Sequence, residues 1–131
     1  MAWSIEGARG ARWTAAEWVG RNAAGFLVPA LDRAGAGTLA RAFATALEMG
    51  TGELSLREWL DDDATSVRFA HAVEAALLEI RREGPRAWRE PERYASFARA
   101  VGDLTRLCRR DGNEELQKIF RDPPLLWDRN P

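Results

Sequence analysis

The chain has 131 residues and a formal net charge of -1, with 46% hydrophobic and 30% charged residues. This balance predicts one globular domain with a single core and excludes the composition of a disordered chain. The near-neutral charge excludes a global field that would draw the whole molecule to nucleic acid or to an anionic membrane.

Compartment and source are predicted from four further features. The single cysteine, Cys108, excludes an internal disulfide. The sequence has no apolar run long enough to span a bilayer, and its start, MAWSIEGARGAR, lacks the apolar segment of a secretory signal. We therefore expect a cytoplasmic protein without a membrane partner. Abundant alanine and arginine, with Lys118 as the only lysine, indicate a GC-rich bacterial genome.

The fold class follows from residue types and periodicity. Alanine, leucine, arginine and glutamate dominate, β-branched residues are scarce, and no segment alternates apolar and polar residues for long. These features predict an all-α protein, a compact single-domain bundle of about five helices over residues 1–131. Short extended tails are expected over residues 1–13 and 122–131, the second because Pro123 and Pro124 oppose helix formation.

Caps and breaks predict where the helices begin and end. Capping-box patterns begin at Thr14 and at Ser55, and Pro91 suits the first turn of a helix. Gly50 and Gly84 each follow a helical segment and predict its end. The helical segments, the last of them short, are predicted over residues 14–32, 38–49, 55–60, 64–83, 91–110 and 113–121.

Three of these helices carry an apolar stripe at helical spacing, which predicts the face that each buries. Trp18 lies off the stripe of the first helix, on its other side. The stripes consist of Val19, Ala23, Phe26, Leu27 and Ala30 in the first helix, of Phe69, Val73, Ala76, Leu77 and Ile80 in the fourth, and of Tyr94, Phe97, Val101, Leu104 and Cys108 in the fifth.

Few residues offer catalytic chemistry. His71, the only histidine, lies off the apolar stripe and is expected at the surface, while Cys108 lies within a stripe, where a thiol is usually inert. The sequence lacks zinc-ligand spacing, a nucleophile elbow and a Walker lysine. We therefore expect no enzyme and no cofactor or metal. An enzyme that holds a metal with Glu58 and residues 61–63 stays open as the last-ranked alternative.

Charge is distributed unevenly along the chain. Residues 48–63 contain six acids and one base, whereas residues 81–110 contain nine arginines and four acids. The three aspartates at 61–63 precede a predicted helix, where carboxylates act as caps and favour the helix dipole. The whole acidic segment, residues 48–63, could also mimic a nucleic-acid substrate.

The stretch RREGPRAWREPERY, residues 81–94, lies between two predicted helices. Its Gly-Pro and Glu-Pro steps predict a hinge. Its arginines could join those of the next helix in a basic surface, with Trp88 stacking on an exposed base, although interleaved glutamates weaken the field. We name this surface the arginine ridge; it comprises Arg86, Arg89, Arg99, Arg106 and Arg110.

Tryptophan is the remaining anomaly, with six in the chain. Tryptophan and arginine are enriched among the residues that anchor protein interfaces. About half of the tryptophans are expected only to pin the tails or fill the end of the bundle, which leaves others exposed for contacts. The six are Trp3, Trp13, Trp18, Trp59, Trp88 and Trp127.

These patterns favour a non-catalytic helical module that binds another bacterial protein, as an adaptor or as an inhibitor of the immunity-protein or antitoxin kind. The alternative is a small subunit of a nucleoprotein complex that contacts RNA or single-stranded DNA through the arginine ridge. Homo-oligomer formation is compatible with both. The residues predicted to contact the partner protein are Trp18, Glu58, Trp59, Asp61, Asp62, Asp63 and Trp88.

Overall fold

A computed structural model describes residues 2–109, in which helices dominate and a small sheet completes the fold. Three-residue to five-residue 3-10 turns occupy Ala8–Gly10, Pro85–Ala87 and Asp103–Leu107. The strands are β1 (Ala2–Glu6), β2 (Arg12–Ala16) and β3 (Glu53–Ser55), and the helices are α1 (Glu17–Arg33), α2 (Gly37–Met49), α3 (Arg57–Leu60), α4 (Asp63–Glu83) and α5 (Pro91–Gly102).

The sheet corrects the all-α prediction, although helices remain the dominant element. Its strand order is β2-β1-β3, with β1 antiparallel to β2 and parallel to β3. Residues 2–6 and 12–13, predicted to belong to an extended N-terminal tail, are therefore strands. Trp3 and Ile5 of β1 are buried while Ser4 and Glu6 are more exposed, which is the alternation of a strand with one face on the core.

Strand pairing also explains why two predicted capping boxes do not form. Thr14 lies opposite Ser4 in the β1-β2 ladder, so its backbone is extended, and α1 begins only at Glu17. Ser55 belongs to β3, and its hydroxyl donates to Glu6 Oε1 at 3.0 Å instead of capping α3. In both cases the residue belongs to a strand and not to a helix N-terminus.

Helix boundaries elsewhere follow the sequence signals closely. Gly50, with φ 64°, ends α2, and Gly84, with φ 68°, follows α4. Pro91 occupies the first turn of α5. This helix, predicted to reach residue 110, ends at Gly102, and the chain continues as a 3-10 turn, a common way for an α-helix to tighten at its C-terminus.

One hydrophobic cluster joins the sheet to the helices. All predicted stripe residues of α1, α4 and the 91–110 segment are buried except Phe26, which is half-buried and packs against the same cluster. Trp3 and Trp13 are also buried, and Trp13 Nε1 donates to Ala100 O at 2.8 Å. The indole of β2 is thereby tied to α5.

Several predictions fall on residues outside 2–109. These are the helix over 113–121, the extended tail over 122–131, and the roles of Arg110 and Trp127. The extent of the single domain over 1–131 likewise stays a prediction. Within the described residues, none of the helices combines the length and the apolar character needed to cross a lipid bilayer.

Candidate binding groove

An open groove runs between α2 and the segment that contains β3 and α3. Its volume is about 380 Å³. We call it the Trp59 groove. Its lining consists of Thr38, Arg41, Ala42, Thr45, Ala46 and Met49 from α2, and of Thr51, Glu53, Leu54 and Trp59 from the opposite side.

The α2 wall is the side of that helix turned away from its most buried residues. Leu39 and Phe43 are each 1% exposed and anchor the helix in the core. Thr38, Thr45 and Met49 lie at helical spacing on the side lining the groove. Met49 is 69% exposed, which is the largest exposure of any big apolar side chain within residues 2–109.

The opposite wall is held by a short turn of helix. Leu56 precedes α3 and Leu60 is its last residue; both are fully buried, so they fix the position of Trp59 between them. Trp59 and Leu54 are each half-buried and pack against the core while they line the groove. Apolar groups on both walls therefore remain partly open to solvent.

The backbone of β3 adds hydrogen-bonding groups beside this apolar surface. The bonds to β1 include Ser4 N to Gly52 O at 2.8 Å and Leu56 N to Glu6 O at 2.7 Å. Because bonding groups alternate along a parallel strand, the backbone groups of Glu53 and Ser55 face the other edge. No strand within residues 2–109 pairs with that edge, since β3 is last in the sheet order. The Thr51 hydroxyl donates to Glu53 O at 3.4 Å.

Charge in the groove is mixed. Arg41 lines it from α2 and Glu53 from β3, and both residues are exposed. A cation and an anion therefore occupy opposite walls of the apolar surface. Such an arrangement favours a ligand that carries both signs of charge around an apolar centre.

The three predicted contact aspartates are engaged within the fold. Asp62 is the N-cap of α4, where its carboxylate accepts from Thr65 N at 2.9 Å and from Thr65 Oγ1 at 2.8 Å. These two hydrogen bonds lower the pKa of Asp62 below its ordinary value of 3.8. Asp61 Oδ1 accepts from Arg9 N at 3.0 Å, and Asp63 Oδ1 lies 3.7 Å from Arg109 Nε.

The capping role of Asp62 leads to a pH-dependent prediction. Because its folded-state pKa is lowered, its contribution is complete above the ordinary pKa and is lost as pH falls through the folded value. Asp62→Ala should destabilise the fold at pH 7, and the difference from the parent should shrink below about pH 3.8. Asp62→Asn is the matched control, since asparagine also caps helices. The measurement is the urea midpoint of the three proteins across pH 2.5–7, and a difference that persists unchanged at the lowest pH would contradict the capping role.

Among the predicted contact residues of the acidic segment, only Trp59 lines the groove. Glu58 is exposed in α3, next to Trp59, but is not part of the lining. The structure gives no support to a metal site at Glu58 and residues 61–63. Within residues 2–109 there is no cluster of three or more histidine, cysteine or acidic side chains that could hold a metal ion. His71 is exposed near Glu74, with 3.8 Å between Nδ1 and Oε1, and Cys108 is buried.

Trp18 and Trp88 belong to a separate aromatic cluster. Their rings meet edge to face with centroids 5.9 Å apart, and Phe97 lies 5.1 Å from Trp88. The guanidinium of Arg93 lies over the Trp18 ring at 5.4 Å and pairs with Glu90 at 2.7 Å. Both tryptophans are half-buried. The cluster joins α1 to the hinge and α5, so the two side chains have a clear structural role.

The arginine ridge differs from its predicted form. Arg86, Arg89, Arg99 and Arg106 are all exposed, while Arg110 lies outside the described residues. Because α5 ends at Gly102, Arg99 and Arg106 do not share one helix face as the predicted 91–110 helix required. The prediction of the arginine ridge assumed one continuous helix over residues 91–110, and the structure does not have this helix.

Most groove residues, among them Arg41, Met49, Glu53 and Leu54, were missed from sequence. An exposed methionine on the less buried side of a helix rich in alanine was the available signal, but the opposing β3 has only three residues. Comparisons of the chain with protein-family models, curated proteins and solved structures found no match. Function is therefore inferred from the chain's own residues.

Proposed function

We propose that this chain is a non-catalytic protein-binding domain, an adaptor or an inhibitor of another bacterial protein, that receives an extended segment of its partner in the Trp59 groove. The observation that carries the proposal is the coincidence of an apolar groove with the outer edge of β3, which no strand within residues 2–109 pairs with. Each feature alone is common, but together they provide both kinds of contact that an extended peptide needs.

Backbone contacts would come from β3. A partner segment that adds to its outer edge would bond to the backbone groups of Glu53 and Ser55. These bonds would also cover an edge that would otherwise be exposed to pairing with other chains. They provide affinity without selecting a particular sequence.

Side-chain contacts would provide the selectivity. Alternate residues of an added strand project to the same face, so one or two of them would enter the groove. There they would meet Trp59, Leu54 and Met49, and burying one large apolar side chain contributes about 1.5–3 kcal/mol. Arg41 and Glu53 would favour a partner that carries an acid towards α2 and a base towards β3.

Replacement of Met49 tests the groove. The probe is a displayed library of random ten-residue peptides, selected on the full chain and then synthesised individually. Met49→Glu should weaken the selected peptides about tenfold, because it places a charge where an apolar side chain is buried. The matched control is Leu78→Glu on α4, since Leu78, at 52% exposure, is the other large exposed apolar residue described within 2–109. It should change affinity less than about twofold.

Two results would contradict the proposal. One is equal loss of affinity in both variants; the other is selected peptides whose binding Met49→Glu leaves unchanged. The strand-addition geometry has its own control: methylation of peptide amide nitrogens should abolish binding at every second position, as the alternation of inter-strand bonds requires. Methylation that is equally harmful, or equally harmless, at all positions would exclude addition to β3.

The nucleic-acid alternative retains one favourable observation, the exposure of Arg86, Arg89, Arg99 and Arg106. Against it stands the end of α5 at Gly102, which leaves Arg99 and Arg106 on different elements. Binding through phosphates weakens steeply as salt is raised, whereas burial of apolar side chains does not. The salt dependence of the interaction therefore separates the two functions.

A further inference from the structure

The described chain leaves the fold next to α3. Ser66, which is fully buried, accepts a hydrogen bond from Arg109 N at 3.1 Å and donates one to Leu60 O at 2.6 Å. Arg109 Nη1 donates to Asp61 O at 3.0 Å. Residue 109 is thereby held against the C-terminal end of α3, the helix that carries Trp59.

The sequence that follows is long enough to return to the groove. Residues 110–124 connect this point to Leu125. Even with the predicted helix over 113–121 formed, such a connection reaches roughly 35 Å. A domain of this size has a diameter of roughly 35 Å. The reach of the connection is therefore comparable with the width of the whole domain.

Residues 125–127 have the chemistry that the groove accepts. Their sequence is Leu-Leu-Trp, and Pro123-Pro124 precedes it. Proline favours the extended backbone that addition to a strand edge requires. Asp128 and Arg129 follow, so the apolar segment carries one acid and one base beside it, matching the two signs of charge on the groove walls.

We propose that residues 125–127 occupy the Trp59 groove of their own chain when no partner is bound, with an extended backbone beside β3 and Trp127 against Met49 and Trp59. This inference rests on the proposed function, because it makes the segment an internal competitor of the partner. A tethered competitor acts at an effective concentration on the order of 1 mM. Binding of the partner then requires displacement of the segment.

Fluorine NMR of the full chain labelled with 5-fluorotryptophan tests the contact directly. The chain has six tryptophans, and Trp127→Phe identifies the signal of Trp127. That signal should be displaced from the position of free 5-fluorotryptophan. Met49→Glu should move it back towards that position, while Leu78→Glu should leave it unchanged. Met49 is 69% exposed and Leu78 is 52% exposed, so we expect both variants to fold.

The outcomes separate self-docking from the proposed function. A Trp127 signal that does not respond to Met49→Glu overturns self-docking. If the selected peptides still lose affinity in that variant, the proposed binding of a partner peptide in the groove stands. A displacement that disappears on dilution also overturns it, because the segment would then occupy the groove of a second copy. A signal that responds while no peptide binds supports self-docking and removes the proposed partner site.

Competition provides the second measurement. In the full chain, Leu126→Ser combined with Trp127→Ser should increase the affinity for a selected peptide about tenfold, because the internal competitor is weakened. The control is Arg129→Gln, which changes the same region but leaves the apolar residues intact. It should change the affinity for the peptide less than about twofold. Unchanged affinity in the double variant would contradict the inference.

Discussion

Gly20→Ala should lower the free energy of unfolding by about 2–4 kcal/mol, although alanine is the better helix former. A Cβ at residue 20 would lie 2.2 Å from Trp3 Cγ and 2.5 Å from Trp3 Cβ. The Trp3 side chain is 3% exposed and is held in the central strand, so it has little room to move. The substitution would push β1 away from α1.

Gly25→Ala is the matched control in the same helix. Apart from its chain neighbours and the nearby backbone of α1, no atom lies within 4 Å of a Cβ built at residue 25. The usual effect of replacing a helical glycine should therefore apply, a gain of about 0.5–1 kcal/mol. Urea unfolding of the parent and both variants measures the two changes of opposite sign. A Gly20→Ala protein as stable as the parent would show that β1 does not pack on α1.

Trp13→Ala should cost about 3–5 kcal/mol, since truncating a buried tryptophan leaves a large cavity. Trp13 is 5% exposed and lies in β2, where its Nε1 donates to Ala100 O at 2.8 Å. Trp13→Phe retains most of the ring but leaves the carbonyl without its donor. We expect a smaller loss of about 1–3 kcal/mol for that change.

Thermal and urea unfolding of both Trp13 variants separate ring packing from the hydrogen bond. A loss below about 1 kcal/mol for Trp13→Ala would mean that β2 does not dock on α5. Equal losses in the two variants would assign the whole effect to what phenylalanine lacks, the pyrrole part of the indole and its N–H donor. The expected order, alanine worse than phenylalanine, requires both contributions.

Helices were predictable because their signals are local and repeated. The α4 stripe from Phe69 to Ile80 recurs over several turns, and all its members are buried. Gly50 and Gly84 adopt positive φ at the ends of two helices, where glycine has no Cβ to clash. The boundaries of α2 and α4 were therefore close to their predicted positions.

The sheet was not predictable from the same kind of reasoning. Its strands have five, five and three residues, too few for a period of two to stand out. The β1-β3 pairing joins residues far apart in sequence, and nothing local specifies it. Thr14 followed by Glu17 satisfies a capping-box pattern, yet pairing with β1 prevails over that local preference.

The candidate site was predicted only in part. Trp59 was selected because tryptophan anchors interfaces, and it does line the groove. Its neighbours could not be found, because the groove exists only when β3 is placed beside α2. The aspartates were selected for their charge, but the hydrogen bonds of Asp62 and Asp61 depend on Thr65 and on the distant Arg9.

The central position of β1 in the sheet has a consequence for biosynthesis. The ribosome makes β1 before every other element described here, yet its parallel partner β3 emerges only after α1 and α2, and the Ala100 acceptor of Trp13 later still. Helices α1 and α2 can pair early, since local contacts form fastest. β1 can pair with β2 and pack on α1 before β3 emerges, but its β3-facing edge stays open until residues 53–55 have been made, and an open strand edge can pair with other chains.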